Sequence, residues 1–217
     1  MVSILPMPVR EAETQAAAGT PFLPCANDET QSFPLDFVHR PHSISFIMRI
    51  LVLGGTGGIG PLLIEELLSV QHTVIIYARS PQKLPESISS NPNVVIIKGE
   101  LMDSDGLEKA LEGVHAVVSA LGPAVSRGPL HPSDTPLAKA YKLLVSLMQK
   151  GNVKRLIALG TASIKDSNDK FDLKFSLMVT GVATFAYTAY KDVVAIGETI
   201  RASQGLVWTI EIGRAHV

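Results

Sequence analysis

One cysteine, Cys25, is all that the chain holds, which excludes an intramolecular disulfide and fits a reducing compartment. Charge is sparse as well. Charged residues make up 18% of the 217, and a net charge of -1 gives no electrostatic reason to expect nucleic acid or a membrane as a partner. No uninterrupted apolar stretch reaches membrane-spanning length. The start lacks the basic, then apolar, then small-residue order of a secretory signal, so the expected location is the cytoplasm. His115 and His131 show no metal-ligand spacing, and no metal site is expected. What remains is a chain with 46% hydrophobic residues, long enough for one ordinary domain with a real core.

Lysine is missing from residues 1–47, which carry six prolines, two arginines and five acidic residues without a sustained helical or strand period. That composition predicts a flexible or loosely attached extension. Its acidic lean is the opposite of a mitochondrial presequence. Met48 stands directly before an apolar run and is the expected functional start. Residues 1–47 are then either an optional or mis-assigned extension or a short docking tail.

The chain is organised around Arg49-Ile-Leu-Val-Leu-Gly-Gly-Thr-Gly-Gly-Ile-Gly60. An apolar run of strand length meets a glycine cluster, which opens a segment of helical period over 58–70 with Leu62, Leu63, Leu67 and Val70 near one face. Pro61 suits a first helical turn. Gly54, Gly57 and Gly60 are three apart, and Gly55, Gly57 and Gly60 also satisfy G-x-G-x-x-G. In a dinucleotide site such glycines permit a tight turn, close approach of backbone to pyrophosphate, and tight helix–strand packing. Free N–H groups at Thr56, Gly57, Gly58 and Ile59 would hold the phosphates.

A second strand, 72–78, leads into Arg79, Ser80 and Lys83. A site for NAD usually ends this strand with a carboxylate that accepts from the ribose hydroxyls. A cation and a hydroxyl suit a ribose phosphate instead, so NADP(H) is expected and NAD(H) less so. The third strand, 93–98, ends in a turn that places Leu101 and Met102 beside the adenine, with Asp103 capping a helix that holds Leu107, Ala110 and Leu111. The fourth, 115–121, is broken by Gly122-Pro123 and sets Ala120, Leu121 and Gly122 at the sheet edge where such folds bind ligands. After a loop at 123–134, Asp134 or Thr135 is the expected cap of a helix over 135–150, whose Leu143, Leu144, Leu147 and Met148 form its apolar face. Tyr141 reads as part of that ordinary amphipathic design. A fifth strand at 153–159, a helix at 187–203 and a sixth strand at 206–210 complete the alternation, with Trp208 as a packing residue. The fold class is α/β, a Rossmann-type doubly wound parallel sheet in three layers.

Residues 48–210 resemble an atypical short-chain dehydrogenase/reductase, in the NAD(P)-binding group of NmrA-like proteins and small biliverdin/flavin reductases. The resemblance is carried by Leu53-Gly-Gly-Thr-Gly-Gly-Ile-Gly60, Ala78-Arg79-Ser80, Gly99-Glu-Leu-Met-Asp103, Val118-Ser-Ala-Leu-Gly122, Thr161-Ala-Ser163 and Arg201-Ala-Ser-Gln-Gly-Leu-Val-Trp-Thr-Ile210. It implies a Rossmann domain, NADP(H), and a hydride transfer to a carbonyl, flavin or related small-molecule acceptor. It equally allows a non-catalytic NADP-sensing or partner-binding protein, because the fold hosts both.

By the same resemblance, Tyr187 and Lys191 match a proton-transferring tyrosine with a lysine one helical turn on, and Ser163 matches the serine that holds the carbonyl oxygen. A tyrosine titrates near ~10 unaided and needs a cationic neighbour to serve near neutrality. A second register stays open. There Glu198 selects Tyr190 and the lysine position falls on Val194, leaving the pair incomplete. Residues 165–186 are expected to loop out and return, with Phe171, Phe175, Met178 and Phe185 either lining an acceptor pocket or anchoring that loop. The end is expected to be non-native. One codon choice for residues 211–217 reproduces, after its first base, the start of a common sequencing adapter, and a C-terminally incomplete fragment follows from it.

Overall fold

The computed structural model describes residues 46–123, 130–165 and 173–212, without the side chains of Lys174, Phe175 and Met178. Six strands, β1 (Arg49–Leu53), β2 (Thr73–Ala78), β3 (Val94–Lys98), β4 (Ala116–Ser119), β5 (Arg155–Gly160) and β6 (Val207–Ile212), form one sheet. Their order is β3-β2-β1-β4-β5-β6, and every neighbouring pair is parallel. The strand order reverses between β1 and β4, the switch point at which an open α/β sheet leaves a crevice.

Alternation along β1 explains the layers. Leu51 and Leu53 face one side, where they join Val117, Leu156 and residues of three helices: α3 (Ser104–Ala110), α4 (Pro136–Lys150) and α6 (Tyr187–Arg201). Ile50 and Val52 face the other, against α1 (Gly60–Ser69) and α2 (Glu86–Ser89) through Ile64 and Ile88. Strands buried on both faces need continuous apolar runs, which is what 49–53 and 73–78 supply. The expected three-layer α/β fold is present. On the second face of β5 and β6 the cover thins, and Val207 is 59% exposed.

Two helices depart from the expected pattern. In α1 the buried positions are Gly60 and Ile64, with Leu63, Leu67 and Leu68 half-buried, whereas Leu62 and Val70 are exposed. The stripe follows the i, i+4 positions from Gly60, because that glycine is pressed against the turn and fixes the rotation of the helix. The segment expected to loop out contains α5 (Leu173–Phe185). Its threonines bond inside the helix, Thr180 Oγ1 to the Ser176 carbonyl at 2.7 Å and Thr184 Oγ1 to the Thr180 carbonyl at 2.8 Å. That satisfies hydroxyls which otherwise favour turns. Among the described residues, no helix is long and apolar enough to cross a membrane.

Candidate cofactor and catalytic site

The glycine turn is built against the end of β4. Gly54 has φ +78°, and a Cβ there would lie 2.7 Å from the carbonyl carbon and oxygen of Ala120. Gly57 N donates to the Gly54 carbonyl at 3.0 Å, closing the turn. A Cβ on Gly60 would strike the carbonyl oxygens of Gly54 and Gly55, so α1 begins hard against the turn. The crest is open. Gly57, Gly58 and Ile59 are exposed, and nothing lies within 4 Å of a Cβ built on Gly58. Among the described residues, no acceptor takes the Gly58 and Ile59 amides. Backbone donors at a helix start, uncovered by side chains, fit a phosphate pair.

Arg79 follows the last residue of β2 and is exposed, and no described residue pairs with it. Ser80 is half-buried and enters a short 3-10 turn, Pro81–Lys83, that leaves Lys83 exposed. Across the next strand, Leu101 is half-buried and Met102 is 60% exposed. Their turn is pinned from below by Tyr77, whose hydroxyl donates to the Glu100 carbonyl at 2.9 Å. Gly99 and Gly106 have no room for a side chain against that phenol. Burial chiefly, then the charges of Asp103 and Glu100, raise the Tyr77 pKa. Asp103 caps α3 as expected, accepting from Gly106 N at 3.1 Å.

At the β4 edge, Ala120 N donates to the Leu53 carbonyl at 2.8 Å, tying this turn to the glycine turn. Ala120 and Leu121 are half-buried and Gly122 is exposed. Beneath them Ser119 Oγ lies 2.7 Å from the Tyr141 hydroxyl and accepts from Leu121 N at 3.4 Å. Tyr141 is therefore more than an apolar helix face. Burial pushes its phenol up to about 12, against the opposing hydrogen bond of Ser119.

Ser163 lies just beyond β5 and is buried, its amide reaching Thr161 Oγ1 at 3.4 Å. Tyr187 begins α6, the helix that runs back to the start of β6. Both residues are thus at the C-terminal end of the sheet. Tyr187 is 61% exposed, and Lys191, one turn on, is exposed too. Among the described residues, no hydrogen bond joins Ser163, Tyr187 and Lys191. In the other register Tyr190 and Val194 are half-buried and Glu198 is exposed. The helix approaches the β5 turn closely at Gly197, where a Cβ would lie 2.6 Å from Ile164 Cγ2. Phe185 is 79% exposed; Phe171 and the side chains of Phe175 and Met178 lie outside the described residues.

The cap of α4 differs from the expected one. Thr135 occupies the N-cap with φ +53° and makes no side-chain cap bond, and Asp134 turns out to Lys139 at 2.8 Å. That hydrogen bond, with the Lys139 charge, lowers the Asp134 pKa. The cap comes from another helix. Asp192 of α6, with none of its surface exposed, accepts from Ala138 N at 2.8 Å and Leu137 N at 3.1 Å. Its Oδ2 also meets His131 Nε2 at 2.8 Å. The sequence held a sign of this: Asp192 stands four and eight residues before Ile196 and Ile200, on the buried stripe of its helix. Thr188, one turn earlier, has a buried hydroxyl oxygen without a partner among the described residues.

Among the described residues, no group of histidine, cysteine and carboxylate side chains is arranged to hold a metal ion. Isoeugenol synthase 1 of Clarkia breweri is 31% identical over 125 residues, 54% of this chain and 36% of that protein. An isoflavone reductase-like protein of Olea europaea is 30% identical over 114 residues, 49% of this chain and 33% of that protein. The match thus spans about a third of the length of these relatives. In fold, the chain is similar to a short-chain dehydrogenase/reductase of Veillonella parvula in complex with NADP (TM-score 0.60, 19% identity, 75% of this chain and 67% of that chain). It is also similar to a Bordetella bronchiseptica enzyme in complex with NAD (TM-score 0.54, 19% identity, 81% of this chain and 53% of that chain). The family described as NAD(P)H-binding matches residues 54–210, which covers β4, the glycine turn and α6 alike, and the chain belongs to that family.

Proposed function

We propose that the protein is an NADP(H)-dependent oxidoreductase that transfers hydride to a carbonyl, flavin or related small-molecule acceptor, in the cytoplasm. The observation that carries the reading is the pairing of open amides at Gly58 and Ile59 with Arg79, an exposed cation standing where a site for NAD would carry an acid. When bound, the dinucleotide supplies the hydride chemistry; the chain supplies binding and orientation. Gly58 and Ile59 hold the pyrophosphate through their amides, whereas the Gly57 amide, expected to be free, is taken by the Gly54 carbonyl and serves the turn. Arg79 and Ser80 hold the ribose phosphate, and Leu101 and Met102 flank the adenine. Ala120, Leu121 and Gly122 let the reactive end approach the backbone of β4. Ser163 holds an acceptor oxygen, Tyr187 delivers the proton, and Lys191, one turn away, holds the nicotinamide ribose.

A second reading, an NADP sensor without catalysis, is favoured by one observation: the Tyr187 side chain is largely in solvent. Titration with NADPH and NADH tests the cofactor, and equal affinities defeat the Arg79 argument. Oxidation of NADPH screened over flavin, quinone and carbonyl acceptors then separates the readings. Tight NADPH binding with no turnover selects the sensor.

A further inference from the structure

We infer that Asp192 is a positioning residue, a buried latch through which His131 and the first turn of α4 hold the start of α6 in place. This inference rests on the cofactor reading above. Its basis is a single carboxylate with three donors from two other segments: His131 Nε2 at 2.8 Å, Leu137 N at 3.1 Å and Ala138 N at 2.8 Å. A fully buried carboxylate is costly to desolvate, and this one is stabilised by two amides at a helix start and by an imidazole. Position 135 does not cap the helix from within the chain, because its left-handed backbone makes no side-chain cap bond.

What the long-range arrangement adds is a connection. His131 belongs to the segment that leaves β4, whose edge presents Ala120, Leu121 and Gly122. Asp192 follows Lys191 directly and lies five residues after Tyr187. Thr135, in the left-handed region with φ +53°, makes no cap bond of its own, so the turn into α4 depends on α6. The far end of α6 is fixed separately, where Gly197 admits Ile164. With Gly197 as one anchor and Asp192 as the other, the first half of α6 is held to His131 and the start of α4. Asp192 therefore sets where Tyr187 and Lys191 stand relative to the reactive end of a dinucleotide, without touching it.

The test uses the full chain and two probes, NADPH and adenosine 2′,5′-bisphosphate, which reaches only the glycine turn and the Arg79 side. Asp192→Asn is first checked by circular dichroism and melting. In the folded variant, NADPH affinity is expected to fall about fivefold or more, the effect of losing a charge-assisted bond, while bisphosphate affinity changes less than about twofold. Amide exchange is expected to rise together in 130–138 and 187–192. Should Asp192→Asn fail to fold, the comparison is read from His131→Ala against His131→Gln, which keeps a side-chain donor. Recovery of NADPH affinity by glutamine supports the latch, and equal loss in both overturns it. Equal losses for both probes in a folded variant, no loss for either, or faster exchange in 130–138 alone, overturn the inference while leaving the cofactor reading intact. Wild-type protein that binds neither probe overturns the cofactor reading and the inference with it.

Discussion

Ser119 and Tyr141 share a buried hydrogen bond of 2.7 Å between β4 and α4, directly under the turn that carries Ala120, Leu121 and Gly122. The serine also accepts from Leu121 N at 3.4 Å, so one hydroxyl pair fixes both a helix and the crevice wall. Removing the phenol oxygen strands a buried serine hydroxyl. Tyr141→Phe is expected to lower stability by about 1–2 kcal/mol, read as an earlier denaturation midpoint.

The same phenol predicts a pH effect of definite sign. Burial raises the Tyr141 pKa from 10.0 to about 12. The neutral form is favoured in the folded state, so its contribution is fully present below the unfolded value and is lost as pH rises from about 10 to 12. Alkaline denaturation of wild type should steepen across that window. In Tyr141→Phe this part of the pH dependence should be absent, and an unchanged profile would show that the loss comes from elsewhere.

Two glycines of one turn should behave in opposite ways. Gly54→Ala meets both a φ of +78° and Ala120 backbone atoms at 2.7 Å, and should cost about 2 kcal/mol or more. Gly58 has empty space around it, and Gly58→Ala should leave the stability within about 0.5 kcal/mol of wild type. Its methyl group would nonetheless stand on the phosphate track and weaken NADPH binding by about tenfold, or ~1.4 kcal/mol. Melting curves and NADPH titrations of both variants check this pair.

Arg79 should matter for cofactor choice alone. It is exposed and has no described partner, so Arg79→Ala should not change stability measurably. The ratio of NADPH to NADH affinity should fall by about tenfold or more, because a charge-assisted bond to the ribose phosphate is lost. A ratio that survives the substitution removes Arg79 from the site.

How much of this was legible in the sequence follows from chemistry and distance. The six strands were readable because each is a short apolar run, and the glycine turn because its backbone demands are local. Asp103 was readable as a cap because its acceptor and the Gly106 amide are three residues apart. The α4 cap was not, since Asp192 lies 54 and 55 residues from the amides that it holds. Nor was the rotation of α1, where close packing at Gly60 outweighs the leucine pattern. Of the candidate catalytic residues, Tyr187 and Lys191 were indicated by a family resemblance carried on their spacing, which says nothing about the exposure of Tyr187.

Thr188 offers the last discrimination. Its hydroxyl oxygen is buried without a partner among the described residues, one turn before Asp192 on α6. A stranded hydroxyl costs free energy that an equally shaped methyl group does not, so Thr188→Val should raise stability by about 1 kcal/mol. On the proposed function the start of α6 is where an acceptor is held, which would give the hydroxyl a partner. If the hydroxyl binds an acceptor, the stabilised variant should show a higher KM for that acceptor with NADPH affinity unchanged. If KM is also unchanged, the orphan is a packing defect with no part in binding. Melting and acceptor kinetics on one preparation decide between the two.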